Sequence, residues 1–223
     1  MNLGTLKTHV VNRTGNDSIS NILTEFVNQI QYDICSRFPF SWRQSLPVSL
    51  TTIANQNYIN PSAYLTNFES PMDCYELSTP KKLIHIPLWD IGLVDPDYFK
   101  NAPSNKRIPT HYNVDFDNSR LWLYPTPNSA ISLKIRYYKS PPEISNASST
   151  LFIPSKYHHI VVAGVESLVW QMDEDLRSAQ AANTRYEQGI ERMIGEDQDK
   201  SDEQPTFTPG IVNAPDPSDP FSY

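Results

Sequence analysis

The stretch that most constrains the fold is residues 110–138, where three short apolar runs are separated by turn residues. In the first run Tyr112, Val114 and Phe116 alternate with polar residues, residues 121–124 follow, and residues 131–138 alternate again. Period-two alternation of β-branched and aromatic residues, interrupted by Asn, Pro and Ser, is typical of antiparallel strands with one buried face. The stretch therefore predicts an antiparallel meander. Because the rest of the chain reads as helix or loop, this sheet is the expected scaffold.

Four amphipathic segments flank this scaffold. Their apolar residues recur at three- and four-residue steps over residues 3–13, 17–38, 154–172 and 176–195. Gly15 and Pro39 are stop signals for the first two helices, and the acidic run at residues 173–175 makes a helical hairpin of the last two. Four apolar stripes need a common core, so residues 1–40 and 154–196 are expected to form one helical bundle. The predicted fold class is α+β, with an antiparallel β domain, residues 41–153, inserted into the bundle.

The predicted β domain contains an unusually long connection. Further strands are expected at residues 46–53, 58–59 and 82–86, with a loop over residues 61–71. Residues 87–109 contain four prolines and read as an excursion from the sheet with room for one short helix. Excursions of this length are usually functional or interfacial. Three aromatic residues in it, Trp89, Tyr98 and Phe99, are expected to be exposed and to anchor a subunit or tail-protein interface.

Charge is distributed unevenly along the chain. The formal net charge is −7, and residues 196–223 carry seven carboxylates against one lysine, so the first 195 residues are nearly neutral. A near-neutral body does not indicate tight nucleic-acid binding, which needs clustered Lys and Arg. Residues 197–223 are acidic and rich in proline, and they cannot bury enough apolar surface to fold alone. They are therefore predicted to form an extended C-terminal arm.

The sequence offers little support for catalysis or metal binding. It contains no phosphate-binding loop, nucleophile elbow or HExxH motif. His158 and His159 are adjacent, and neighbouring helical side chains point in different directions, so the pair is a poor chelate. The acidic run at residues 173–175 lacks the EF-hand pattern and reads as a solvated turn. We therefore expect no catalytic residue, no metal and no cofactor.

The remaining composition points to a cytoplasmic site of synthesis. The N-terminal residues lack the apolar core of a signal peptide, and no run approaches the roughly 20 apolar residues of a membrane span. Two cysteines, Cys35 and Cys74, do not make a disulfide framework. Free thiols are the expected state, and a disulfide between them is the alternative. The chain is thus expected to have no membrane partner.

Several segments resemble one family of viral proteins. They are LGTLKTHVVNRTGN near the N-terminus, DICSRFPFSWR at a helix exit, RLWLYPTPNSAISLKIRYYKSPP in the sheet, and SSTLFIPSKYHHIVVAGVESLVWQ at the start of the hairpin. In these segments the chain resembles the head–tail adaptor, or connector, proteins of tailed bacteriophages, including the tail-tubular-A type. The resemblance covers roughly residues 1–195. The long excursion over residues 60–109 and the acidic arm depart from a compact member of that family.

The resemblance implies a structural virion protein at the neck of the particle, assembled in the bacterial host cytoplasm. It implies a ring of twelve subunits that docks beneath the portal protein, carries tail, nozzle or fibre proteins, and leaves a channel through which DNA passes non-specifically. It also implies that the C-terminal arm binds the portal. The apolar residues that would anchor the arm are Phe207, Ile211, Val212, Phe221 and Tyr223.

Two other readings of the sequence lead to different functions. Aromatic residues such as Trp42, Trp89 and Trp122 could stack on sugars in a carbohydrate-binding or tail-fibre module. A cell-wall hydrolase is the enzymatic alternative. Neither alternative requires a ring or a portal, so the mass of the protein in solution, with and without portal protein, separates them from the adaptor.

Overall fold

The computed structural model describes residues 1–60, 65–77, 81–99, 105–115 and 120–202. Within these ranges five α-helices and two four-stranded sheets make up an α+β fold, as the sequence predicts. The bundle consists of α1 (Leu3–Thr14), α2 (Leu23–Arg37), α4 (His158–Met172) and α5 (Leu176–Asp202), while α3 (Leu88–Val94) lies apart in the β region. The two N-terminal helices and the C-terminal hairpin share one apolar core, so the expected helical bundle is confirmed.

The N-terminal helices have clear end signals. The side chain of Asn2 caps α1 by accepting from Thr5 N, and Gly15 follows it with φ of +70°, a left-handed conformation that glycine adopts without strain. Its backbone N–H donates to Val11 O, which completes the helix C-cap. The single helix expected over residues 17–38 is instead a 3₁₀ turn at Asp17–Asn21 followed by α2. Asn16 caps this turn by accepting from Ser18 N, which draws the chain into the tighter winding.

The C-terminal hairpin packs closely because glycines sit at the contact points. A Cβ at Gly164 would lie 2.9 Å from Ile30 and Tyr186, and one at Gly189 would lie 2.8 Å from Ile160. Only residues without a side chain let α4 approach α2 and α5 so closely. The turn between the two helices places Glu174 at φ of 58°.

The last helix extends further than its sequence suggests. It continues to Asp202, past the end expected near Gly195, so residues 197–202 are helical and do not belong to an extended arm. Asp197 is buried, and its carboxylate accepts from Ser41 N at 2.8 Å and from Ser41 Oγ at 2.6 Å. These contacts fix the end of α5 against the segment that leads into the β domain.

Two sheets replace the single meander that the sequence predicts. The first sheet has the order β1 (Val48–Thr51), β8 (Ser132–Lys139), β3 (Phe68–Glu76) and β4 (Lys81–Lys82). The second sheet has the order β2 (Tyr58–Ile59), β7 (Arg120–Tyr124), β6 (His111–Asp115) and β5 (Ile84–His85). The pair β6–β7 is antiparallel as expected, but β8 leaves it and pairs with β1 and β3. Alternation determines which face of a strand is buried but not which strand lies beside it.

One long strand lies partly where a loop is expected. Strand β3 begins at Phe68, inside the predicted loop over residues 61–71, and contains Pro71. Its pairing with β8 shifts register between Phe68 and Ser70 and again between Pro71 and Asp73. Such irregularities let a strand accommodate proline, which cannot donate to the ladder. The pair β5–β6 is parallel, the other ladders being antiparallel.

Candidate assembly surfaces

The two sheets pack face to face, which defines two outer faces of the β domain. Leu121 and Leu123 of β7 share one apolar core with Leu133 and Ile135 of β8. Side chains alternate across a strand, so the residues between these face outward. Trp122 therefore marks the outer face of the second sheet, and Lys134 marks the outer face of the first.

Helix α3 covers the outer face of the second sheet. Ile91 of this helix forms a small buried cluster with Tyr98 and Trp122. The side-chain amide of Asn113 donates to Ile86 O at 2.7 Å, which fixes the start of the excursion on β6. The first half of the Pro-rich segment is thus an ordered layer attached to the sheet.

Tyr98 anchors this layer and is not exposed. Its side chain is completely buried, and its hydroxyl donates to Leu123 O at 2.7 Å and Asn57 O at 3.0 Å. Burial raises the pKa of the phenol, since the charged form loses its solvation. The expectation that Tyr98 is exposed is therefore wrong, because a segment with few backbone contacts to the sheet needs a buried side chain to hold it.

Other apolar residues of the same segment are largely left exposed by the residues that the structure describes. Trp89 is 68% exposed, Leu93 70%, Val94 71% and Phe99 49%. We call these four residues the α3 patch. Trp89 and Leu93 are four positions apart, so they lie on the same side of the helix. Phe99 contacts the ring of Trp122 edge-on, with centroids 5.6 Å apart, which places it beside the helix.

The outer face of the first sheet carries a groove that the sequence analysis did not find. The groove has a volume of about 240 Å³ and is lined by Pro47, Tyr75, Glu76, Leu77, Lys134 and Arg136. We call it the sheet groove. Three segments distant in sequence meet there, because β8 lies between the strands that carry the other walls. The alternation of Asp73, Tyr75 and Leu77 with Cys74 and Glu76 is the signal that could have revealed the outward row on β3.

Cations surround this groove. In one row across the sheet, Lys134 lies opposite Tyr75, which lies opposite Lys82 on the other side. Arg136 is held in place by Asp73, whose two carboxylate oxygens accept from Nε at 3.0 Å. Asp73 in turn is nearly buried, which keeps this guanidinium at one position on the groove wall.

The predicted sugar-stacking tryptophans do not come together. Residues 38–47 connect α2 to β1, and we call this segment the joint between the bundle and the sheets. Within it, Trp42 stacks on Phe40 at a centroid distance of 5.4 Å. Trp122 is only 7% exposed beneath α3, Trp42 is partly buried, and Trp89 is the most exposed of the three. These residues therefore do not form a platform for a sugar chain.

His158 and the two cysteines occupy structural positions. His158 is buried and its Nε2 donates to Ile153 O at 2.9 Å, and burial lowers its pKa because the charged form is disfavoured. Cys35 lies in the bundle core and Cys74 between the sheets, so they are separate free thiols. In the described ranges no cluster of three or more His, Cys, Asp or Glu side chains could hold a metal ion. The helices described there include none that is long and apolar enough to cross a membrane.

The five anchors predicted for the arm, Phe207, Ile211, Val212, Phe221 and Tyr223, lie outside the described residues. The chain enters that region from the end of α5, next to the start of the β domain. Beside that end, Glu196 accepts from Lys156, Tyr157 and Arg192, and these contacts lower the pKa of its carboxyl to about 2.

The β domain inserted into the bundle carries exposed apolar surfaces. Such surfaces are typical of proteins that assemble with others. The family comparison agrees with this class. A family model described as SU10 adaptor protein matches residues 1–212, and the chain belongs to that family of phage head–tail adaptors. The family is a structural one. No curated protein matches the chain.

Proposed function

We propose that this chain is the subunit of a dodecameric ring that docks beneath the portal of a tailed phage and connects it to the tail. The observation that carries the proposal is the family match over residues 1–212, on a fold with uncovered apolar surfaces on its β domain. The role is architectural, without catalysis. The ring belongs to the virion neck, is assembled in the host cytoplasm, and presents its outer surfaces to downstream tail, nozzle or fibre proteins.

The charge of the body supports a channel through which DNA moves. The first 195 residues are close to neutral, so the ring offers few clustered cations to phosphate. Each neutralised phosphate adds salt-dependent affinity, and strong binding would hold a duplex that has to pass. A near-neutral wall lets DNA leave the capsid without being gripped.

The C-terminal residues are proposed as the portal-binding arm. Their apolar side chains are spaced among polar and proline residues, a pattern suited to insertion into grooves of a neighbour rather than to a core of their own. Because α5 continues to Asp202, the arm begins after that residue. Ser41, at the start of the β domain, holds Asp197 in the last part of this helix.

Native mass spectrometry and electron microscopy of the full chain, alone and with portal protein, test the ring. We expect a closed ring that binds the portal. A chain that stays monomeric in the presence of portal protein would overturn the proposal. Deletion of residues 203–223 should leave the melting temperature unchanged and abolish portal capture in a pull-down.

A matched full-length control separates the arm's anchors from its charge. In it the five apolar anchors are replaced by serine while the acidic residues stay. This variant should fail to capture the portal as the deletion does. Normal portal capture by the deletion variant would show that another surface makes the contact.

A further inference from the structure

We propose that neighbouring subunits of the ring are joined by the α3 patch of one copy, which inserts Trp89 into the sheet groove of the next copy. This inference rests on the proposed ring and names the two surfaces that close it. The occupant of the groove is thus a second copy of this chain.

The patch and the groove lie on opposite sides of the same domain. The two sheets share a core, α3 covers the outer face of the second sheet, and the groove opens on the outer face of the first. A contact between different faces of identical subunits is heterologous, and it repeats by rotation until a ring closes. A patch facing another patch would instead give a two-fold dimer, which uses neither the groove nor the opposite placement.

The two surfaces match in shape. The patch projects from a helix, and Trp89, its largest side chain, is 68% exposed. The groove is concave, with a volume of about 240 Å³, and Pro47, Tyr75 and Leu77 give it apolar walls with room for an indole ring. Beside it, Leu46 is 84% exposed and extends the apolar rim. A buried aromatic anchor in a pocket is the usual energetic centre of an interface.

The two surfaces also match in charge. Residues 83–99, which carry the patch, contain Asp90, Asp95 and Asp97 and no Lys or Arg. The face around the groove has three cations against two carboxylates. The cations are Lys82, Lys134 and Arg136, and the carboxylates are Asp73 and Glu76. Opposite charges around an apolar centre orient the two partners and disfavour contacts between like faces.

Cross-linking with paired cysteines tests the contact in the full chain. The native thiols do not interfere, because both are buried and burial raises the pKa of each to about 12. The double variant Leu77→Cys/Leu93→Cys, treated with a short bismaleimide, should give a ladder of covalent oligomers up to the full ring. Each single variant should stay monomeric on a denaturing gel. The control pair Ile53→Cys/Leu93→Cys, whose first site is exposed but outside the groove, should give no ladder.

Charge reversal tests the same contact without a reagent. Asp90→Lys and Lys134→Glu should each weaken ring formation at least tenfold, and the double variant should recover most of it. Trp89→Ala should abolish the ring while the monomer's melting temperature stays unchanged. Cross-linking and charge reversal thus test residues on both surfaces, and Trp89→Ala tests the aromatic anchor.

The outcomes separate this inference from the proposed function. If the wild-type chain forms no ring, even on portal protein, both fall. If it forms a ring but the paired cysteines give no ladder and charge reversal has no effect, the inference is overturned and the ring stands. A ring that survives Trp89→Ala but loses a tail protein would assign the α3 patch to the tail instead and would also overturn the inference.

Discussion

The helical bundle and the β domain use their apolar residues in different ways. The bundle buries its stripes in one core, whereas nine of the twelve large exposed apolar side chains of the described residues belong to residues 41–153. Apolar surface left in water costs free energy unless a partner covers it. The β domain therefore has a core of its own but also carries most of the large exposed apolar side chains, which under the proposed function are its contact surfaces.

Ion pairs connect elements within the bundle, within the β domain and between the two regions. Glu166, buried in α4, forms an ion pair with Arg13 of α1 at 2.9 Å and accepts a hydrogen bond from Arg185 of α5 at 3.1 Å, so one carboxylate connects three helices. In the β domain the ion pair between Arg136 and Asp73 connects neighbouring strands of one sheet. Between the two regions the buried Arg43 donates to Cys35 O and pairs with Glu69 of β3. Polar contacts between elements distant in sequence thus hold the bundle, the joint and the sheet alike.

The largest expected effect is the loss of a buried aromatic side chain at the joint. Phe40 is fully buried and contacts Phe38 and Trp42, so Phe40→Ala should lower the free energy of unfolding by about 3–5 kcal/mol. Phe99→Ala is the matched control in the β domain. Because this ring is 49% exposed, its loss should cost less than about 1.5 kcal/mol. Equal losses in urea denaturation would contradict this difference between buried and exposed apolar side chains.

The next effect concerns the carboxylate that connects three helices. Replacing Arg13 and Arg185 together by methionine leaves Glu166 buried without a cation, and this should cost about 3 kcal/mol. Glu166→Gln should cost less, because both arginines are about half exposed and return to water. Urea denaturation of the wild-type protein, the double variant and Glu166→Gln ranks their free energies of unfolding. If Glu166→Gln lowered the free energy of unfolding more than the double variant does, the unpaired arginines would be the more costly groups, which would contradict this explanation.

A smaller effect is the loss of stability in alkaline solution that comes from one buried thiol in each region. Burial raises the pKa of Cys35 and of Cys74 to about 12, from an ordinary value of 9.0. The unfolded chain therefore loses these protons first, so the stabilising contribution is present below pH 9 and falls between pH 9 and 12. Each thiol should contribute a slope of roughly 1.4 kcal/mol per pH unit in that window.

Cysteine-to-alanine variants isolate this slope from other groups that titrate in alkali. If bundle and β domain unfold together, Cys35→Ala and Cys74→Ala should reduce the alkaline slope equally. If they unfold separately, each variant should change only the transition of its own region. An unchanged slope in both variants would mean that neither thiol stays protonated in the folded protein.

The bundle was predictable from sequence because its signals are local. The recurrence of Leu23, Val27, Ile30 and Ile34 identifies a helix and its buried face without knowledge of any partner. The end of α5 was not predictable, since Asp197 looks like part of an acidic tail and is helical through its contact with Ser41, 156 positions away. Composition describes a segment in isolation, and that contact depends on the fold.

The β domain was predicted less well because strand pairing is non-local. The alternation in β8 correctly gives its buried face, but nothing in it selects β1 and β3 over the neighbouring β7. Exposure of Trp89 and Phe99 followed from their place in a Pro-rich excursion, whereas burial of Tyr98 depends on carbonyls of Asn57 and Leu123 from other strands. The sheet groove required three segments to be placed together, so it could only be seen in the structure.

The smallest expected effect is the loss of a surface ion pair between α2 and α5. The hydrogen bond to Glu187 raises the pKa of Arg37, and the two side chains are 35% and 42% exposed at a distance of 2.6 Å. Exposed pairs of this kind contribute at most about 1 kcal/mol because water and salt screen them. Glu187→Gln should therefore cost less than about 1 kcal/mol in dilute buffer, and the difference should vanish near 1 M salt, where the Debye length is roughly 3 Å. A larger loss that persists in salt would show that the bundle depends on its surface charges as much as on its core, and the contrast with the β domain would then be one of degree.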